Sequence, residues 1–394
     1  MISNDMVKLG KRRSIIRDIF EYGKIRSKEI GAENVYDFSL GNPSIPAPNC
    51  VKETIIDLLE KEDSILLHGY TSAQGDVNVR KTIADFINNK YDTKLCADNI
   101  YMTVGAAASL TISLKALAVP GDEFIVFTPF FPEYRTFIES AGGKLVAVPS
   151  NEDDFQIDIT KFTEAITPKT KAVVFNSPNN PSGVVISKEN VISLCKVLKE
   201  KSAEYGHPIY LISDEPYREL VYDDIEIPYL TKYYDNTLVC YSFSKSLSLP
   251  GERIGYIVVS NEMEDAEDVY AAVCGAGRAL GYVCAPSLFQ RVIAKCIGET
   301  SDIAIYKKNR DLLYNGLTEL GFQCIKPDGA FYLFAKSMEP DANAFCEKAK
   351  KHELLLVPSD DFGCPGYVRI SYCVKTEQII NSMPAFEKLA KEYK

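Results

Sequence analysis

Histidine is scarce in this chain. His68, His207 and His352 stand far apart among 394 residues, so catalysis built on several imidazoles is not expected. No Cys-x-x-Cys pair occurs. The eleven cysteines, at positions 50, 96, 195, 240, 274, 284, 296, 324, 346, 364 and 373, show no zinc-type spacing with histidine. Most lie in apolar runs, such as Cys195 in VISLCKVL, which fits reduced core thiols better than disulfides or metal ligands. No metal site is expected. No apolar run approaches the roughly 20 residues that cross a bilayer. The opening MISNDMVKLGKRRS has no apolar signal core behind its charges, so a cytoplasmic location is expected. A dense basic block is also missing. Lys and Arg number 44 against 54 Asp and Glu, a net charge of −10, so neither nucleic acid nor an anionic membrane is the expected partner.

What is present is an ordinary globular composition, 46% apolar and 25% charged. The length exceeds one hydrophobic core and suggests roughly two or three domains. Strand-like runs alternate with helical ones: NIYMTV (99–104), AAASLTISLKALA (106–118), FIVFT (124–128), a helix around PEYRTFIESAGG, KLVAVP (144–149), KAVVFN (171–176), a helix over 188–205, and PIYLIS (208–213). This βα rhythm with unbroken apolar strands predicts an α/β fold, a mostly parallel sheet covered by helices on both faces. After about residue 285 the pattern changes to an α+β segment. It begins with a long helical region over 286–321 and continues through GAFYLFAK, LLLVPS, GYVRISY and a final helix. An N-terminal helix over about 12–30 can pack with it. The expected division is a large domain over 46–285 and a smaller, discontinuous domain from 1–45 and 286–394.

In parallel sheets ligands bind beyond the carboxyl ends of the strands, and the polar motifs fall there. In YSFSKSLSLPGERIGY (241–256), Lys245 closes a strand-like run; it is either a loop charge or an amine placed for chemistry. In SDEPY (213–217), Asp214 either caps a turn or meets a cationic ring nitrogen, with Tyr217 in reach of a phenolic oxygen on the same ring. NSPNNPSG (176–183) is rich in turn residues, yet Asn180 offers an amide donor and acceptor. VGAAASL (104–110) leads a strand into a helix, which suits packing or a phosphate at the helix start. It lacks the glycine pattern and lysine of a phosphate loop, and the dinucleotide fingerprint is absent there.

Together these motifs fit one ligand with a phosphate, a pyridine nitrogen, a phenolic oxygen and an aldehyde awaiting an amine. In order and spacing the chain resembles the class I/II aminotransferases of the fold-type-I pyridoxal-phosphate superfamily, from SLGNP (39–43) to GYVRISY (366–372). The resemblance implies a large domain with a mostly parallel seven-stranded sheet and pyridoxal 5′-phosphate as cofactor. Lys245 would form the imine with it, and Asp214 would partner the pyridinium nitrogen. Tyr217 and Asn180 would bind the phenolic oxygen. Ser242 and Arg253 would hold the phosphate through the family's SxSK…R pattern, helped by the backbone of Gly105, Ala106 and Ala107, and Ser244 would also contact the cofactor. Phe131 in TPFFPEY takes the place of the aromatic that stacks on the ring. Tyr70 in HGYTSAQG resembles the tyrosine that crosses a homodimer interface to the neighbouring subunit's phosphate. Gly41 and Asn180 would lie by the substrate, and Arg369 in YVRISY would grip its α-carboxylate. Without these companions, Arg369 reads as a surface charge on a strand.

The implied reaction is ping-pong transamination between amino acids and 2-oxo acids, with Lys245 as the proton carrier. Two other functions share the motifs: a carbon–sulfur lyase on the same fold, and a non-catalytic cofactor-binding module. Substrate choice is less marked. Relatives specific for aspartate carry a lysine where this chain has Ala107. Arg278 in GAGRALGY either substitutes for it across the dimer, as an arginine of this region does in other aspartate enzymes, or, as its distance from Pro286 favours, is a helix-surface residue.

Overall fold

The computed structural model describes residues 2–11 and 14–394. Its centre is a seven-stranded sheet in the order Ile100–Thr103, Gly255–Val259, Thr237–Ser242, Tyr210–Asp214, Thr170–Asn176, Glu123–Thr128 and Lys144–Pro149. All neighbouring pairs run parallel except those of Gly255–Val259, which is antiparallel to both its neighbours. The sequence left this strand unassigned. Residues 243–254 form only the single helical turn Phe243–Ser246 rather than a crossover helix, and the chain returns antiparallel beside the strand it left.

Side chains alternate between two buried faces. Ile125, Val173 and Leu211 enter one core, while Phe124, Val126, Val174 and Ile212 enter the other. Burial on both sides explains why these strands read as unbroken apolar runs. The flanking helices start and stop where local chemistry dictates. Helix Lys188–Tyr205 begins at Ser187, whose hydroxyl accepts from Asn190 N at 3.2 Å, and ends at Gly206 with φ 71°.

A second, three-stranded antiparallel sheet is formed by Val357–Pro358, Tyr367–Ser371 and Tyr332–Lys336. Helices Ile303–Glu319, Ala342–Lys351 and Thr376–Lys391 pack on it around Phe345, Ile370 and Phe386. The N-terminal helix runs Ile15–Ile30; residues 12 and 13 of the expected span lie outside the described ones. Tyr36–Asp37 pairs with Leu354–Leu355, which ties the N-terminal segment to this second unit.

The expected long helical region over 286–321 consists of two helices. Ser287–Cys296 ends before Gly298, whose φ of 91° does not continue a helix. Asp302 then caps a new helix by accepting from Ala304 N at 3.1 Å. The first piece buries Val292, Ile293 and Cys296 with Val51, Leu58 and Ile83, so it packs under the seven-stranded sheet rather than with the smaller unit. The cysteines are free, but only Cys195, Cys240, Cys296, Cys346 and Cys373 are buried. Five others are half-buried and Cys96 is exposed, so apolar sequence neighbours overstated their depth. Among the described residues no helix is long and apolar enough to cross a membrane.

Candidate active site

The strand ends meet the second unit across a cavity of about 540 Å³, within the usual range for a small-molecule site. Lys245, Asp214, Tyr217, Asn180, Ser242, Ser244, Arg253, Phe131, Ala106, Ala107, Gly41 and Arg369 all line it. Gly105 lies one step behind, at the start of helix Ala106–Leu117. Tyr70 does not join them. It is 94% exposed in the single chain.

Lys245 is carried by a single helical turn, Phe243–Ser246, that follows the strand ending at Ser242. Ser242 stops the strand and caps this turn, its hydroxyl accepting from Ser244 N at 3.2 Å. The Lys245 amine donates to the Gly41 carbonyl at 2.7 Å and sits 5.3 Å from the centre of the Phe331 ring. Burial is the main cause that lowers its pKa to about 8, aided by Arg253 and Arg369. A substantial neutral fraction near pH 8 suits attack on a carbonyl. Lys245 is half-buried on a helical turn with its amine bonded to Gly41 O, which is not the setting of a solvated loop lysine.

Asp214 is buried at the end of Tyr210–Asp214. Its Oδ2 accepts from the Tyr134 hydroxyl at 2.6 Å, while Oδ1 has no partner. Desolvation raises its pKa to about 7; the Tyr134 bond opposes that shift and Glu215 adds to it. A buried carboxylate oxygen without a donor is costly unless a ligand cation meets it. Behind it, Glu215 and Arg218 form a buried ion pair, with Glu215 Oε1 accepting from Arg218 Nη2 at 2.8 Å. The guanidinium also lies over the rings of Tyr91 and Tyr229. That pair fixes the loop after Asp214.

Arg369 is buried, not a surface charge. Nη1 donates to Asn180 Oδ1 at 3.1 Å and Nη2 to Ser39 O at 2.5 Å, and Nε has no partner. Asn180 is itself set by Asn176, whose Oδ1 accepts from Asn180 N at 2.8 Å. The same Asn176 amide donates to the Asp214 carbonyl at 2.9 Å. Two strand ends are thereby locked in register.

Arg253 has φ 52°, and its guanidinium lies against Gly105, with Nη1 donating to Pro250 O at 3.0 Å. A Cβ on Gly105 would fall 2.9 Å from Arg253 Nη2, and Gly105 has φ 93°. Gly105→Ala is therefore expected to destabilise the protein by about 1–3 kcal/mol and to displace Arg253. Thermal melting together with phosphate affinity checks this; unchanged values for both would contradict it.

Four parts of the site escaped the sequence motifs. Tyr134 and Asn176 act through Asp214 and Asn180. Tyr332 stands between Tyr217 and Arg369. Ser14, Ile16 and Arg17, from the start of the N-terminal helix, line the same cavity with Glu133 and Phe137. Sequence signals existed for two of them: Asn176 opens NSPNNPSG, and Tyr134 closes TPFFPEY three residues after Phe131. Arg278 lies exposed in the single chain, on helix Ala266–Ala279, and does not line the cavity.

A half-buried lysine amine of lowered pKa, an unpartnered carboxylate oxygen and an unpartnered guanidinium Nε fit an imine-forming aldehyde, a pyridinium and a carboxylate respectively. The fold and these donors define the pyridoxal-phosphate enzymes built on a seven-stranded α/β sheet. The match to known proteins is narrower. Residues 32–383 match the family described as aminotransferase class I and II, and the chain belongs to that family. It is 60% identical to the crystal structure of an amino transferase from Eubacterium rectale, with TM-score 0.98, covering 100% of this chain and 99% of that one. It is 30% identical to a probable aspartate aminotransferase of Methanocaldococcus jannaschii, over 95% of this chain and 96% of that protein. It is 28% identical to an aromatic-amino-acid aminotransferase of Thermococcus litoralis, over 97% and 96%. The protein is a pyridoxal-phosphate-dependent transaminase, with small-molecule substrates of the amino acid and 2-oxo acid classes.

Proposed function

We propose that Lys245 carries the cofactor and moves the substrate proton, that Asp214 holds the ring nitrogen, and that Arg369 binds the α-carboxylate. The observation that carries this is that Lys245, Asp214 and Arg369 line one cavity, with Asp214 Oδ1 and Arg369 Nε left without hydrogen-bond partners. Bound there, pyridoxal phosphate supplies a carbonyl for the incoming amine and a ring that accepts the electron pair left at the substrate Cα. Asp214, as carboxylate, keeps the ring nitrogen cationic. Tyr217 and Asn180 bind the phenolic oxygen, and Phe131 covers the ring face. Ser242, Ser244, Arg253 and the free N–H groups of the helix start at Gly105, Ala106 and Ala107 take the phosphate, Arg253 as a two-pronged donor. Arg369 and Gly41 orient the substrate. Lys245 Nζ, once released from the cofactor, takes the proton from the substrate Cα and keeps it within the site.

The same proposal extends to the chain's organisation. A larger cofactor-binding unit begins near residue 46, and a smaller one is built from both ends of the chain. Because Ser287–Cys296 packs with the larger unit, the second crossing falls within 297–302. The working form is a homodimer. Tyr70, 94% exposed beside exposed Ile65 and Leu66, would reach the phosphate of the partner's site. Tyr70→Ala is expected to weaken cofactor retention roughly tenfold while leaving the melting temperature of the cofactor-free chain unchanged. Cofactor release measured by dialysis checks this; full retention in the variant would remove Tyr70 from the site.

A screen of single amino acids, following loss of the lysine-bound cofactor's absorbance band, tests the function. Bleaching by at least one donor, reversed by a 2-oxo acid, is expected. No bleaching by any amino acid would refute transamination.

A further inference from the structure

Tyr332 stands at the junction of the two halves of the site, and no motif gave it a part. Its hydroxyl lies 2.9 Å from that of Tyr217. Its ring faces the Arg369 guanidinium, 4.7 Å from ring centre to Cζ, and Phe362 faces the same group at 5.3 Å. The Tyr332 hydroxyl also fills the space beside Gly41, where a Cβ would come within 2.0 Å. Tyr332 is buried and lines the cavity.

The backbone that presents it is held in an uncommon conformation. Ala330 has φ 54°, a region that L residues with a Cβ avoid. Its N–H donates to Leu220 O at 2.8 Å. Its carbonyl accepts from the Tyr222 hydroxyl and, at 3.4 Å, from that of Tyr372. These three bonds over-determine the turn, and of the two residues that follow Tyr332 lines the cavity while Phe331 packs in the core behind it. Phe331 lies beneath Lys245, and Tyr332 lies between Tyr217 and Arg369.

We infer that Tyr332 is a positioning residue with two separable parts: its hydroxyl commits the Tyr217 proton to the cofactor's phenolic oxygen, and its ring sets the plane of Arg369. This rests on the roles proposed above for Tyr217 and Arg369. Each phenol has one proton to give. If Tyr217 gives its proton to the cofactor, its oxygen must accept from Tyr332 across the 2.9 Å contact. Accepting polarises the Tyr217 O–H and strengthens its outward bond. The ring acts differently. Arg369 spends one nitrogen on Asn180 and one on Ser39, and the two flanking aromatic faces hold its guanidinium plane while stabilising its buried charge.

Two variants separate the parts. Tyr332→Phe removes the hydroxyl and keeps the ring. A weaker donor to the phenolic oxygen leaves that oxygen's negative charge less stable, so the lysine-bound cofactor should hold its proton to higher pH. The midpoint of its absorbance titration is expected to rise by about half a pH unit or more. The KM for an amino acid, relative to an amine with the same side chain, should stay unchanged. Tyr332→Leu removes the ring, and that relative KM is expected to rise roughly tenfold with a smaller change in kcat. A Tyr332→Phe midpoint within roughly 0.1 pH unit of the parent would overturn the hydroxyl's part. An unchanged relative KM in a normally melting Tyr332→Leu protein would overturn the ring's part. If Tyr332→Leu does not fold, Tyr332→Phe still decides the first. Failure of borohydride to fix any cofactor on Lys245 in the parent protein would instead remove the underlying assignment.

Discussion

Lys245→Ala is expected to abolish turnover, by at least about 10⁴-fold, and to leave the fold intact. Its amine makes one hydrogen bond, to the Gly41 carbonyl at 2.7 Å. Losing that bond costs little structure, whereas the chemistry loses both the attachment point and the proton carrier. The cofactor should still bind through the phosphate contacts but should no longer be fixed by borohydride. A pH signature accompanies this. In the cofactor-free protein the Lys245 pKa is lowered to about 8, first by burial, while an unfolded lysine titrates near 10.5. Between those values the unfolded chain binds the extra proton, so the parent gains stability as pH rises from about 8 towards 10.5. The Ala variant should lack that gain. Denaturant melts at pH 8 and pH 10 compare the two; equal pH dependence would mean that the amine is not desolvated.

Asp214→Asn is expected to lower kcat by about 10²–10³-fold or more with a smaller loss of cofactor affinity. The amide keeps the volume and can still accept from Tyr134, but it carries no charge to hold a ring nitrogen cationic. Here the pH dependence runs the other way. Desolvation lifts the folded pKa from 3.8 to about 7, so the folded cofactor-free protein holds a proton that the unfolded chain has released. Stability of that form should fall as pH rises from about 4 to about 7, and Asp214→Asn should remove this contribution. A bound cation beside Oδ1 reverses the preference, so cofactor should stabilise the parent more at pH 8 than at pH 5. Identical cofactor stabilisation at the two pH values would argue against the pairing.

Much of this was legible because it is local or periodic. Apolar runs bounded by turns marked most of the parallel strands, and Lys245, Asp214 and Asn180 each sit within a few residues of a strand's end, where the topology brings them together. What was hidden is set by distant contacts. Gly41 offers Lys245 its carbonyl across 204 positions, and Ser39 meets Arg369 across 330. No local pattern encodes such a pairing. Tyr332 sits in an apolar strand run, GAFYLFAK, where a tyrosine reads as core; its role arises only because the strained Ala330 turn aims it at Tyr217. The antiparallel strand Gly255–Val259 was missed for a related reason. Its apolar run gives no direction, and only the short return from Ser242 fixes one.

The most direct test of the central claim is a single-turnover experiment with no 2-oxo acid added. Purified enzyme carrying its cofactor is mixed with excess amino donor, and 2-oxo acid and free ammonia are both measured over time. Transamination with Lys245 as the carrier yields one 2-oxo acid per site, no ammonia, and a cofactor left in its amine form. Continued production of 2-oxo acid and ammonia beyond one per site would mean elimination rather than transfer.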